Sequence, residues 1–133
     1  MTHRTPLLIA ALMATIAAAA PPAPPAPQGH WAFVDDGTVI EFVACGDALC
    51  AQVRGLPPVV EKGDVPPACG QTVLEGLRPE AGQWRGEVID PETRKRFRVR
   101  LEPQGEGWRL VVSVLVFSET MQLRPAGAFK RCG

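Results

Sequence analysis

The chain has 133 residues, with 14 basic and 14 acidic side chains, so its formal net charge is zero. A neutral chain has no electrostatic reason to hold nucleic acid, which calls for a strongly basic surface. Its length allows one ordinary small domain rather than several.

The chain opens MTHRTPLLIAALMATIAAAA. His3 and Arg4 make a short positive start, Pro6 to Ile16 an apolar run, and Ala17 to Ala20 a small-residue stretch. That order predicts a secretory signal peptide over residues 1–19, cut after Ala18 or Ala19. The apolar run is shorter than the roughly 20 residues that span a bilayer as a helix, so no transmembrane segment is expected after processing. Residues 20–28 contain PPAPPAP, which reads as a stiff polyproline II linker without side chains to build a core. The folded domain is expected over residues 29–133. Losing the leader removes Arg4 and leaves acids and bases nearly balanced.

In the domain, HWAFVD alternates apolar and polar side chains and leads into the turn DDGT. TVIEFVAC is rich in β-branched and aromatic residues and predicts a strand, and CAQVRGL a second, shorter one. GDAL between them reads as a four-residue connection, with Gly46 and Asp47 as turn formers. That arrangement places Cys45 directly opposite Cys50, within disulfide range. In an oxidising compartment an even cysteine count predicts disulfides. By elimination Cys69 then pairs with Cys132. Chain entropy assigns roughly 2 kcal/mol to the short ring and roughly 4 kcal/mol to the long one. A redox pair would prefer Cys-x-x-Cys before a helix, and a zinc site would need tighter ligand pairs, so neither metal nor other cofactor is expected.

LPPVVEKGDVPPACG predicts a Pro-rich loop from Leu56 to Gly70, and QTVLEGLRPEAG is the one stretch suited to a helical turn. QWRGEVID puts Trp84, Gly86 and Val88 on one face, and Asp90-Pro91 opens a turn. RFRVRLE puts Phe97, Val99 and Leu101 inward and Arg96, Arg98 and Arg100 outward. WRLVVSVLVF reads as one strand, with Trp108, Leu110, Val112, Val114 and Val116 on one face and Val111, Leu115 and Phe117 on the other, so both faces are expected to be covered. ETMQLRP is the last strand. Strands joined by tight turns in chain order form a meander, and seven or eight of them protect their edges best by closing into a barrel. The fold expected is all-β, an antiparallel up-and-down barrel.

Several residues then suggest a family: Gly29-x-Trp31, Asp36-Gly37, Val39-Ile40-Glu41, Cys45-Gly46, Leu49-Cys50, Gly76-Leu77, Trp84-x-Gly86 and Ile89-Asp90-Pro91. Their order resembles a family of small exported bacterial proteins classed as a domain of unknown function. The resemblance covers most of residues 29–125 and implies a lipocalin-like barrel, with the periplasm or exterior as its location and no established activity. Ala51 stands where the family usually has Gly, Arg94 where a turn Gly is expected, Phe97 for a usual Tyr, and TMQLR for a Trp-containing final strand. These departures bear on ligand specificity, since they alter the barrel wall and ends.

Catalytic chemistry has little to build on. After the leader there is one histidine, His30, and two serines, Ser113 and Ser118, with no Gly-x-Ser-x-Gly elbow. Asp35 and Asp36 precede Gly37 and read as turn formers rather than catalytic carboxylates. No phosphate loop is present. The expectation is a binding protein and not an enzyme. Its first form is a carrier for a small hydrophobic ligand held by Trp31, Phe42, Trp84, Phe97, Val99, Leu101, Trp108, Leu110 and Val112. The three tryptophans each begin a strand, so they cluster at one level, either lining a cavity or plugging one end. Its second form is a periplasmic protein-binding module, such as a protease or lysozyme inhibitor, with the Pro-rich tether and the Leu56 to Gly70 loop as its contact sites. The arginine stripe, beside Arg94 and Lys95, could dock anionic lipid headgroups or lipopolysaccharide, but it reads first as a solvated outer wall, with Glu87 and Glu102 as nearby counter-charges.

Overall fold

The computed structural model describes residues 2–16 and 24–133. Eight strands follow in chain order: β1 (Gly29–Phe33), β2 (Val39–Cys45), β3 (Ala48–Gly55), β4 (Thr72–Glu80), β5 (Gln83–Ile89), β6 (Arg96–Gln104), β7 (Gly107–Val114) and β8 (Phe117–Pro125). Each pairs antiparallel with its neighbour in sequence, and β1 pairs with β8 to close the barrel. No helix occurs among the described residues.

Strands of alternating direction sort the connections into two ends. Segments 34–38, 56–71, 90–95 and 115–116 lie at one end, here the mouth. Segments 46–47, 81–82 and 105–106 lie at the other, the base, where the chain also enters β1 and leaves β8. The inward phase read for β6 holds: Val99 and Leu101 are buried and Phe97 half-buried, while Arg96 and Arg98 are exposed and Arg100 is half-buried. Arg96 pairs with Glu75 at 3.2 Å and Arg100 with Glu102 at 2.7 Å, so Glu75 takes the place expected of Glu87.

Packing varies along the barrel axis. Ile40, Val53, Leu74, Leu77, Leu101 and Leu110 are fully buried and fill the middle. Below them the three tryptophans close the base. Trp31 and Trp108 meet edge to face with centroids 6.4 Å apart. The Trp84 indole donates to the Pro25 carbonyl at 3.2 Å, and the Trp31 indole to the Gln28 carbonyl at 2.7 Å. Pro27 is buried and Ala26 packs on the core. The end of the Pro-rich segment is therefore a seal on the barrel rather than a free linker. Its prolines lend fixed backbone, and its carbonyls accept both indole protons, that of Trp84 in a partly buried setting and that of Trp31 at the exposed edge.

Both disulfides form, Cys45–Cys50 and Cys69–Cys132, each with Cα atoms 5.8 Å apart. The register of the first differs from expectation. Cys45 lies opposite Ala48 and Cys50 opposite Val43, so the bridge runs diagonally. The cause is a two-residue turn, Gly46-Asp47, in place of GDAL, with Gly46 at φ 63 in the first central position. A positive φ there matches the twist of a hairpin and suits glycine. The second disulfide ties the long loop to the C-terminal tail. That tail crosses the outer wall, where Cys132 N donates to Arg54 O at 2.8 Å and the Phe129 ring sits 5.2 Å from that of His30.

Two further expectations change. QTVLEGLRPEAG holds no helical turn but the whole of β4, with irregular register against β5 around Gly76, whose φ is 65. The distortion brings the strands close: a Cβ at Gly86 would stand 2.6 Å from the Glu75 carbonyl oxygen, so only glycine fits. WRLVVSVLVF is not one covered strand. It turns back at Leu115-Val116, and β8 begins at Phe117. Leu115 and Val116 are 96% and 100% exposed.

Residues 2–16 carry no regular structure, and Leu7, Leu8, Leu12 and Ile16 stand at least 90% exposed. The expected cleavage after Ala18 or Ala19 lies outside the described residues. No helix among the described residues is long and apolar enough to cross a membrane.

Candidate functional site

Going from base to mouth along β7, Trp108, Leu110 and Val112 are 7%, 0% and 5% exposed, and Val114 is only half-buried. The same change appears on β5 and β6, where Val88 and Phe97 lie in register and are half-buried above the packed Val99 and Leu101. The upper barrel therefore contains a recess of about 500 Å³ that opens at the mouth. Its wall includes Phe33, Val73, Val88, Phe97, Val112 and Met121. They come from six strands, so only the closed barrel assembles it.

Of the nine apolar residues expected to hold a ligand, Phe97 and Val112 line this recess. Val99, Leu101 and Leu110 form its packed floor, and Phe42 lies in the same core cluster. Trp31, Trp84 and Trp108 close the base, which is the plugging arrangement. Phe33, Val73, Val88 and Met121 were not singled out from the sequence. Val88 shares the face of Trp84 in the sequence pattern, but Val73 falls in the stretch read as a helical turn, and nothing in a period of two reports height along the axis.

The rim is acidic. Asp35, Asp36 and Asp90 border the recess, and Glu119, in register with Val112, stands on its inner wall. Asp36 Oδ1 accepts from Thr38 N at 2.8 Å, as expected of a turn former. Asp90 Oδ1 accepts from the N–H groups of Thr93 and Glu92 at 2.8 and 3.0 Å. These bonds, that of Thr93 foremost, hold the Asp90 carboxyl below its ordinary pKa, with Lys95 adding a small attraction. Thr38, 3% exposed, borders the recess, and its hydroxyl has no hydrogen-bond partner.

The residues considered for catalysis are dispersed. His30 lies at the base end of β1, whereas Ser113 and Ser118 face each other near the mouth, on β7 and β8. His30 Nε2 is 2.9 Å from Glu41 Oε2, an ion-pair distance without the alignment of a hydrogen bond. Among the described residues no three His, Cys, Asp or Glu side chains are grouped to hold a metal ion.

Searches of curated proteins and of solved structures return no match to the chain. One family does match, described as "Uncharacterized protein conserved in bacteria (DUF2147)", over residues 29–122. That span begins at the first residue of β1 and ends inside β8, nearly the whole barrel. With its eight strands and two disulfides, the chain belongs to this family of bacterial proteins.

Proposed function

We propose that this protein is an exported carrier that holds the apolar part of a small ligand in the mouth of its barrel. The observation that carries the reading is the recess of about 500 Å³, walled by half-buried apolar side chains above a fully packed floor. A packed barrel has no reason to leave Phe33, Val88, Phe97, Val114 and Met121 half-covered at one end while filling its middle completely. The volume lies within the usual range for small-molecule sites. Export is supported by the leader-like start, whose apolar side chains pack on nothing, and by the two disulfides. Binding rather than catalysis is supported by the separation of His30 from both serines along the barrel axis.

The test uses the neutral apolar dye N-phenyl-1-naphthylamine, whose emission rises in an apolar site. The tryptophans sit at the base, so the dye and not their emission is the readout. Wild type is expected to bind about one dye per chain. Val88→Trp, placing a large ring among half-buried neighbours, is expected to abolish binding with the melting temperature little changed. Val99→Trp in the packed floor is expected instead to cost about 1–3 kcal/mol through overpacking. Undiminished dye binding by Val88→Trp would place the site elsewhere.

A further inference from the structure

The chain as a whole is neutral, yet its charge is segregated. Asp35, Asp36, Asp90 and Glu119 line the recess, and no basic side chain does. A second depression, about 580 Å³, adjoins it between the long loop and the β5–β6 turn and shares Asp35, Asp36 and Asp90. That depression adds Glu61, Asp64 and Glu92, again with no basic residue, over a lining of prolines and valines. Among the described residues none of these seven carboxylates lies within ion-pair distance of a base, whereas Glu41, Asp47, Glu75, Glu80 and Glu102 all do. Lys62, Arg94 and Lys95 belong to the same connections but line neither depression. Other bases, Arg124, Lys130 and Arg131, gather beside the C-terminal tail.

Clustered carboxylates repel one another, and at a rim with low-dielectric walls their field is focused outward. Such a cluster by itself is ordinary surface chemistry. Two features set this one apart. It encloses an apolar recess, with Glu119 on the inner wall at the level of Val112. Thr38, beside it, has a buried hydroxyl without a partner, and an unpaired buried polar group is costly unless something binds it. From this we infer that the ligand is a cationic amphiphile, with an alkyl or aryl body in the recess and an ammonium or guanidinium group at the carboxylate rim. Glu119 is the residue that reads the charge, and Thr38 Oγ1 accepts a hydrogen bond from the ligand's N–H. This inference rests on the carrier reading and adds the ligand class to it.

The experiment displaces N-phenyl-1-naphthylamine from the full-length oxidised protein with decylamine, decanol and decanoate, which share one chain and differ in charge. Decylamine is expected to bind at least tenfold tighter than decanol, with decanoate weakest. The preference is expected to shrink as salt is raised, because rim charges are screened. Glu119→Gln is expected to weaken decylamine binding severalfold more than decanol binding. Equal binding of amine and alcohol, or stronger binding of decanoate, would overturn the inference and leave the carrier reading standing. An equal loss of amine and alcohol binding in Glu119→Gln would also overturn it, since the residue would then act through shape. If none of the three probes displaces the dye, the inference is overturned, while the dye test with Val88→Trp still decides the carrier reading.

Discussion

Asp90 ties the fold to the site. Its Oδ1 organises the β5–β6 turn through the N–H groups of Glu92 and Thr93, and the same carboxylate borders the mouth. Because these bonds favour the ionised form, its folded pKa lies below the ordinary 3.8. The stability it contributes is then fully present above about 3.8 and is lost as pH falls through the lower folded value. Asp90→Asn keeps an acceptor oxygen and removes the charge. Its melting temperature is expected to lie below that of wild type at neutral pH and to approach it in strong acid, and a constant gap across the titration would refute this. The Asp-Pro turn was legible in the sequence because its chemistry is local. So was the unusual Arg94: the resemblance calls for Gly there, and Arg94 adopts φ 62, where a side chain is strained. The acidic rim was not legible, because Asp35 and Asp90 come from two separate connections and Glu119 from β8, and each reads alone as an ordinary turn or strand residue.

The strands were legible wherever one face packs and the other is wet, since that contrast writes a period of two into the chain. Reading failed at the β7–β8 turn for a definite reason. Leu115-Val116 has none of the residues that favour turns, and Leu115 takes φ 53, a conformation in which hairpins prefer Gly. The run Val111 to Phe117 therefore looks like uninterrupted strand. Leu115→Gly is expected to relieve about 1 kcal/mol of backbone strain, raising the melting temperature by roughly 4–8 °C. A fall in melting temperature would show that the exposed leucine makes a stabilising contact. The neighbouring elements illustrate the opposite economy, with disulfides where the chain is loosest. The bridge from Cys69 to Cys132 spans a sequence separation of 63 and pins both the long loop and the tail, worth roughly 4 kcal/mol by chain entropy. The Cys45–Cys50 ring, separation 5, contributes roughly half of that and mainly holds hairpin register.

At the scale of the whole molecule, the two barrel ends are built for different purposes. The base is closed by rings, by a buried proline and by indole hydrogen bonds to the incoming chain, whereas the mouth leaves its apolar wall half-covered and ringed by carboxylates. The base seal was hidden from sequence reading because it acts through the carbonyls of Pro25 and Gln28, and every residue has a carbonyl. Composition showed only that the segment has no large side chain to bury. The seal makes a prediction that separates the ends. A chain beginning at residue 29 loses two indole hydrogen bonds, worth about 1 kcal/mol each, together with the cover given by Ala26 and Pro27. Its tryptophan emission is expected to shift to the red and its melting temperature to fall by several degrees. A chain beginning at residue 24 keeps the seal and is expected to match the longer protein in both. Dye affinity at the mouth is expected to be the same for both chains at temperatures where each is folded, because the packed leucine layer isolates the recess from the base. A loss of dye affinity in the shorter chain alone would mean that the two ends are coupled through the core, and the floor of the recess could not then be treated as rigid.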